Sequence, residues 1–220
     1  MNDSPFNAVI FDLDGTLLNT LEDLANCMNR VLLQNGLPVH QIDAYRYFIG
    51  DGAFEFVARA LPEEKRIDTI ISACLDSFRT DYRQNWNVKT TPYEGVPEML
   101  DALFARKLKL AVLSNKPHEY TKRCVTALLP KWNFDIILGQ RNGVPRKPDP
   151  AGALEVANHL KISPSKFLYL GDTDIDMKTS VTAGMFPVGV LWGFRTAEEL
   201  KESGARALIS HPLEILNLLE

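Results

Sequence analysis

The chain has 220 residues, of which 45% are apolar, 24% charged and 9% aromatic, enough for one sizeable hydrophobic core or for a core and a smaller second one. Its 24 Lys and Arg residues against 28 Asp and Glu residues leave a net charge of −4, which excludes a basic field for binding a nucleic-acid polymer or an anionic membrane surface. No apolar run approaches the roughly 20 residues of a membrane-spanning helix, and the amino terminus lacks the features of a secretory signal, so a cytoplasmic protein is expected.

The cysteines do not indicate a disulfide or zinc protein. Cys27, Cys74 and Cys124 are odd in number and widely spaced, which suits neither a disulfide framework nor a metal site built from paired cysteines. We expect core or surface thiols. A nucleophilic thiol is the alternative, although no neighbouring basic pattern singles one out.

Short apolar segments with the length of a buried strand recur along the chain. The predicted strands are 8–11, 110–113, 134–138, 167–170 and 188–191, and the predicted helices between the last four are 117–128, 150–160 and 174–183. This alternation is typical of an α/β fold with a parallel sheet and helices on both faces.

Residues 17–89 interrupt the alternation because they contain no convincing strand. Apolar residues recur there at helical spacing, as Leu21, Leu24 and Met28 do. The segment predicts a small helical bundle, inserted as a second domain into an α/β core of residues 1–16 and 90–220. The segment 89–95, which contains proline and glycine, is interpreted as the second strand of a hinge.

The first predicted strand leads directly into Asp12-Leu13-Asp14-Gly15-Thr16. Two carboxylates at the carboxyl end of a buried strand need an explanation, because an unpaired buried charge is costly. A turn with helix-capping aspartates is one explanation. The other is a nucleophile and an acid/base aspartate, placed where open α/β sheets bind their ligands.

Two further segments carry groups suited to a phosphate. Ser114 and Asn115 follow the second predicted strand, where a hydroxyl and backbone amides can bind phosphoryl oxygens, although Ser114 could equally be a helix N-cap. Lys147 lies between prolines, which restrict the backbone and could aim its side chain into a site. A solvated loop lysine is the alternative.

A second aspartate-rich segment, 171–176, follows the predicted strand 167–170. Its carboxylates, Asp172, Asp174 and Asp176, repel one another unless a cation or solvent screens them. Oxygen ligands without nearby His or Cys favour Mg²⁺ over Zn²⁺. If a helix follows the turn, Asp172 and Asp176 share one face, so we favour them over Asp174. An exposed turn with an N-cap is the alternative.

These segments all lie at or beyond the carboxyl ends of predicted strands, so a parallel sheet would gather them along one edge. In this order they resemble the four motifs of the haloacid dehalogenase (HAD) superfamily: DxDGT, then Ser or Thr, then Lys, then GDxxxD. The resemblance covers essentially the whole chain, and the helical insert 17–89 resembles the C1 cap of that superfamily. It implies a Rossmann-like parallel sheet core with an inserted helical-bundle cap.

For the aspartates the resemblance implies specific roles. Asp12 would attack phosphorus and form an aspartyl-phosphate, and Asp14 would protonate the leaving oxygen and later deprotonate water. Mg²⁺ would be held by Asp12, the backbone carbonyl of Asp14 and Asp172, with Asp176 behind these ligands.

For phosphate binding the resemblance implies a catalytic role for Lys147, and contacts from Thr16, Ser114 and the Asn115 amide. Gly50, in the segment 49–52 of the cap, would reach the substrate; a plain turn is the alternative there.

The implied reaction is Mg²⁺-dependent hydrolysis of a small phosphate monoester. The segments 191–195 and 204–209 resemble the phosphoglycolate phosphatase subfamily and related pyrophosphatases, which favours 2-phosphoglycolate as substrate, although Arg206 stands where those relatives usually carry an aspartate. A sugar phosphomutase like β-phosphoglucomutase and an inorganic pyrophosphatase are the alternatives. Mutases often have Val or Ile at the position of Thr16, which argues against the first. The sequence leaves monomer and homodimer open.

Overall fold

The structure, a computed structural model, describes residues 5–220. The chain divides into two compact units, one of residues 1–18 and 92–220 and one of residues 19–91, here called the sheet unit and the helical unit. The strands, in chain order, are β1 (Ala8–Phe11), β2 (Leu18–Asn19), β3 (Thr91–Pro92), β4 (Lys109–Pro117), β5 (Ile136–Gln140), β6 (Phe167–Gly171), β7 (Phe186–Val190) and β8 (Ala207–Ile209). Short β2 and β3 pair with each other where the chain passes between the units.

Six strands of the sheet unit form one parallel sheet in the order β5-β4-β1-β6-β7-β8. In this register Phe11, the last residue of β1, lies opposite Val112 of β4 and Leu170 of β6. The residues beyond these three positions therefore lie along the same edge of the sheet. The α/β fold class expected from the sequence is confirmed.

The helices of the sheet unit are α4 (Val96–Ala105), α5 (His118–Leu128), α6 (Ala151–Leu160), α7 (Asp174–Thr182) and α8 (Ala197–Glu202). One hydrophobic cluster joins alternate residues of the central strands, such as Ala8 and Ile10, to Ala153 and Val156 of α6. Each fully buried side chain of the size of Ile10 contributes about 1.5–3 kcal/mol, so this face anchors the strands that carry the edge segments.

The structure differs from the elements predicted from the sequence in the extent of one strand and in two elements that were missed. β4 continues to Pro117 and α5 begins only at His118, so Ser114 is a strand residue and not a helix N-cap. The register between β4 and β5 shifts after Leu113, and such an irregularity has no signal in an apolar pattern. The helix α4 and the edge strand β8 were not predicted; β8 has three residues, too few for a periodic pattern.

The helical unit contains α1 (Leu21–Gln34), α2 (Ala53–Ala60) and α3 (Asp68–Asn85). Arg30 of α1 donates to both carboxylate oxygens of Asp81 of α3, at 2.5 and 2.8 Å. Asp23 of α1 accepts hydrogen bonds from the backbone N–H groups of Lys89 and Thr90 and from the Thr90 hydroxyl, which ties the end of the unit to its first helix.

All three cysteines are buried free thiols, as the core interpretation predicts. Burial raises the pKa of Cys124 to about 11 and also raises the pKa values of Cys27 and Cys74, which disfavours a nucleophilic thiolate. Across residues 5–220, no helix is both long enough and apolar enough to cross a membrane.

Candidate active site

Three aspartates meet at the carboxyl edge of the sheet. Asp12 follows β1, Asp172 follows β6, and Asp176 lies in the first turn of α7. All are buried, and one carboxylate oxygen of each lies within 4.8 Å of one from the others. Because β1 and β6 are adjacent and parallel, the two aspartate-rich segments of the sequence converge here.

Lys147 contacts two of these three carboxylates, those of Asp12 and Asp176. Its Nζ is 2.9 Å from Asp12 Oδ1 and 2.7 Å from Asp176 Oδ1, and it donates to the Leu113 carbonyl at 3.1 Å. Burial alone would lower the pKa of Lys147, but Asp12 and Asp176 raise it well above its usual value. Lys147 is therefore a buried cation and not a solvated loop residue.

Asn115 holds the Lys147 backbone in place. Its side-chain Nδ2 donates to the Lys147 carbonyl at 3.0 Å, and the Lys147 N–H donates to Asn115 Oδ1 at 2.9 Å. This reciprocal pair ties the loop after β5 to β4. The side chain of Asn115 thus supports Lys147, which leaves the predicted phosphate contact to its backbone amide.

Asp172 is held by Thr16, which the sequence-based interpretation assigned to the phosphate, and by Phe194, which it did not assign to the site. Its Oδ1 accepts from the Thr16 hydroxyl at 2.9 Å, and its Oδ2 accepts from the backbone N–H of Phe194 at 3.0 Å. A Cβ atom at Gly15 or at Gly193 would lie 2.2 Å from an atom of the Asp172 side chain. Both positions therefore need glycine, and the segment 191–195, noted above only for its subfamily resemblance, packs on this carboxylate.

Asp176 and Asp174 lie in different environments, as the predicted helical geometry requires. Asp176 Oδ2 accepts from the Thr173 N–H and hydroxyl in a capping box, while Oδ1 contacts Lys147. Asp174 forms an ion pair with Lys178 at 2.7 Å on the protein surface. The segment thus contains an N-cap, as one interpretation expects, but Asp172 and Asp176 are buried rather than exposed.

Lys116 is a site residue that the sequence reasoning missed. Its Nζ lies 2.9 and 3.1 Å from the two carboxylate oxygens of Asp14, and both side chains are largely buried. The Ser114 hydroxyl accepts from the Lys116 N–H at 3.3 Å. The sequence did contain a signal for Lys116. It lies two residues after Ser114, and residues i and i+2 of a strand share a face, so both side chains could be expected on the same side of the sheet.

Gly50 belongs to the helical unit, where its φ of 133° suits glycine. The guanidinium carbon of Arg206 lies 5.9 Å from the centre of the Phe186 ring, within the range of a cation–π contact.

The three carboxylates fit a hard divalent cation. Burial raises the pKa of Asp12 to about 7, with Lys147 opposing the shift and the charges of Asp176 and Asp14 adding to it. Burial, then Asp176 and Asp12, also raise the pKa of Asp172 well above its usual value. Apart from the Lys147 ammonium at 2.9 Å, Asp12 Oδ1 has no hydrogen-bond donor among the described residues. An all-oxygen donor set with excess negative charge suits Mg²⁺.

The fold and the cluster together define an α/β protein whose sheet edge can place a cation beside an anionic ligand. Residues 9–190 match the family model described as haloacid dehalogenase-like hydrolase, and the chain belongs to this family.

Relatives within the family are phosphatases by name. The chain is 32% identical over 212 residues to a phosphoglycolate phosphatase of Aquifex aeolicus, covering 96% of each chain. A crystal structure of a protein from Lactobacillus delbrueckii subsp. bulgaricus, predicted to be a phosphoglycolate phosphatase, superposes with a TM-score of 0.92 at 30% identity, covering 97% of this chain and 98% of the other. One from Thermotoga maritima, predicted to be a β-phosphoglucomutase, has a TM-score of 0.73 at 25% identity, covering 97% and 98%. The expected family and enzyme class, a phosphoric monoester hydrolase, are confirmed.

Proposed function

We propose that this protein is a Mg²⁺-dependent phosphatase that hydrolyses 2-phosphoglycolate through an aspartyl-phosphate on Asp12. The observation that carries the proposal is the cluster of Asp12, Asp172 and Asp176, two of which contact Lys147, in a chain similar over nearly its whole length to phosphoglycolate phosphatases. A buried lysine beside a nucleophilic carboxylate supplies positive charge where phosphate oxygens would bind.

The reaction proceeds in two displacements. In the first, an Asp12 oxygen forms a bond to phosphorus while the bond to the leaving oxygen breaks, and Asp14 gives that oxygen its proton. In the second, water attacks the phosphorus of the aspartyl-phosphate, Asp14 takes the water proton, and the bond to Asp12 breaks to release inorganic phosphate. Asp12 and Asp14 thereby return to their starting forms.

The remaining residues bind and orient. Lys147, Ser114 and the backbone amide of Asn115 offset the charge of the phosphate oxygens, and the Thr16 hydroxyl holds Asp172. Asp12, the Asp14 carbonyl and Asp172 would hold Mg²⁺, which would supply the charge that reduces repulsion between a carboxylate and a phosphate dianion.

The helical unit is proposed to serve as the cap, with Gly50 contacting the substrate. This part rests on the superfamily resemblance. A cytoplasmic location also stays a prediction.

Asp12→Asn tests the proposal. Purified wild type with Mg²⁺ should release phosphate from 2-phosphoglycolate, and the variant should lose at least roughly 10³-fold in kcat, because an amide cannot act as the nucleophile. Asp174→Asn, in the exposed ion pair with Lys178, is the matched control and should keep full activity. Full activity of Asp12→Asn would refute the mechanism.

The mutase alternative has the Thermotoga maritima neighbour in its favour. Incubation with β-glucose 1-phosphate and Mg²⁺ separates the two activities. A phosphatase releases inorganic phosphate, whereas a hexose 6-phosphate with little free phosphate would replace the proposed function by the mutase. Phosphate release from pyrophosphate in preference to phosphate esters would favour a pyrophosphatase.

A further inference from the structure

The ion pair between Lys116 and Asp14 is the buried charged contact of the site that the proposed mechanism does not use. The Lys116 side chain is 4% exposed and that of Asp14 12%, and Nζ contacts both carboxylate oxygens, at 2.9 and 3.1 Å. Asp14 and Lys116 are 102 residues apart in sequence; Asp14 lies three residues after β1, and Lys116 lies in the adjacent strand β4.

The Lys116 backbone is also held tightly. Its carbonyl accepts from the Thr121 hydroxyl at 3.1 Å, and a Cβ atom at Gly139 would lie 2.6 Å from that carbonyl. Its N–H donates to Ser114 Oγ. The Lys116 main chain is therefore hydrogen-bonded at both its N–H and its carbonyl, and its side chain extends to the Asp14 carboxylate.

A purely stabilising role is a poor explanation for this pair. Desolvating two charges costs about as much as their attraction returns, so buried ion pairs contribute little net stability compared with apolar residues of similar volume. Contact with both oxygens, in contrast, restricts the rotation of the carboxylate about its last bond. Orientation matters for a group that has to deliver a proton to one particular oxygen.

We infer that Lys116 is a positioning residue that orients the Asp14 carboxylate for proton transfer to and from the leaving group and water. This inference rests on the proposed function. It assigns Lys116 no contact with the substrate: Lys116 acts through Asp14 alone, and its removal should resemble a partial loss of Asp14.

The inference is tested by comparing two substrates whose leaving groups differ in basicity. The alkoxide of 2-phosphoglycolate needs a proton as it departs, whereas 2,4-dinitrophenolate does not. For Lys116→Met we expect kcat on 2-phosphoglycolate to fall roughly 100-fold with KM within about threefold, because a misplaced proton donor affects the transition state and not substrate binding. With 2,4-dinitrophenyl phosphate, the rate constant of the pre-steady-state burst of dinitrophenolate should stay within about threefold of the wild-type value. Lys116→Arg should recover part of the lost kcat.

Lys109→Met is the matched control. Lys109 is on the same strand and forms an ion pair with Asp135 at 2.6 Å, but it is half exposed and lies at the opposite end of β4. Both substrates should be hydrolysed by this variant as by wild type.

A double variant keeps the test valid if Lys116→Met leaves Asp14 unpaired and the protein fails to fold. Asp14→Asn with Lys116→Met removes both charges, and it should be no slower on either substrate than Asp14→Asn alone, because Lys116 has no role without Asp14. A double variant slowed further by the removal of Lys116 would overturn the inference. The inference would also be overturned if folded Lys116→Met were slowed by the same factor on both substrates. Wild-type kcat on 2-phosphoglycolate in that variant would overturn it as well. Failure of the proposed function shows separately: wild type would then release phosphate from neither substrate, and the inference would fall with it.

Discussion

At the scale of single residues, the site depends on side chains that hold other side chains. Asn115 makes two hydrogen bonds to the backbone of Lys147, and Lys147 makes two contacts to carboxylates. The position of the ammonium group relative to Asp12 therefore depends on an amide that carries no charge.

Asn115→Ala tests this dependence. The change leaves the N–H and carbonyl of Lys147 without their partners, which should cost about 1–3 kcal/mol of unfolding free energy. Because the loop that carries Lys147 is then less well held, kcat should fall roughly 10–100-fold. Urea unfolding and steady-state kinetics measure the two effects, with Asn158→Ala on the exposed side of α6 as control. Wild-type kcat in Asn115→Ala would show that Lys147 is positioned without it.

At the scale of elements, the helical unit is held together by a contact between its two longest helices. The guanidinium of Arg30 in α1 donates to both oxygens of Asp81 in α3, and this hydrogen bonding lowers the pKa of Asp81. A carboxyl group with a lowered pKa in the folded protein stabilises the fold above its unfolded pKa and loses that contribution as the pH falls through its folded pKa.

Asp81→Asn should therefore destabilise in a pH-dependent way. At pH 7 the loss should be about 1 kcal/mol, since Arg30 is partly exposed and solvent screens the pair. Below about pH 4 the difference from wild type should shrink, because the wild-type carboxyl becomes protonated as well. Urea unfolding between pH 7 and pH 3 measures the difference, with the exposed Asp76→Asn as control. A constant gap over that range would argue against the ion pair as its source.

At the scale of the whole molecule, the aspartate cluster concentrates more negative than positive charge inside the sheet unit. The cluster holds three buried carboxylates, and one buried ammonium group, that of Lys147, contacts two of them. A divalent cation that binds there binds only the folded chain, so it stabilises the protein by mass action.

Mg²⁺ should accordingly raise the melting temperature. At a free concentration about 100 times its Kd, the gain is about 2.7 kcal/mol, or about 5–10 °C for a chain of this length. Thermal unfolding in Mg²⁺ and in EDTA measures the shift, which Asp172→Asn should largely remove and Asp174→Asn should retain. A shift of the same size in Asp172→Asn would place the cation elsewhere.

Much of the fold was predictable because β1 and β6 are fully buried on both faces and read as uninterrupted apolar segments. β8 and the extension of β4 beyond Leu113 were not predictable from the sequence. Beyond Leu113 the strand carries polar residues whose burial is decided by Asp14 and Lys147 rather than by their own hydrophobicity.

The sequence by itself determined the α/β alternation, the family and the groups at the sheet edge, because strand and helix periodicity and the spacing of aspartates within a segment are local properties. Only the tertiary structure decided which of those groups meet. Lys116 reaches Asp14 across 102 residues, Asn115 reaches Lys147 across 32, and Phe194 reaches Asp172 across 22. Such contacts are set by strand order and loop path, which no local pattern encodes. Even so, a chain with a net charge of −4 has a buried ammonium group among its carboxylates, which composition alone could not indicate.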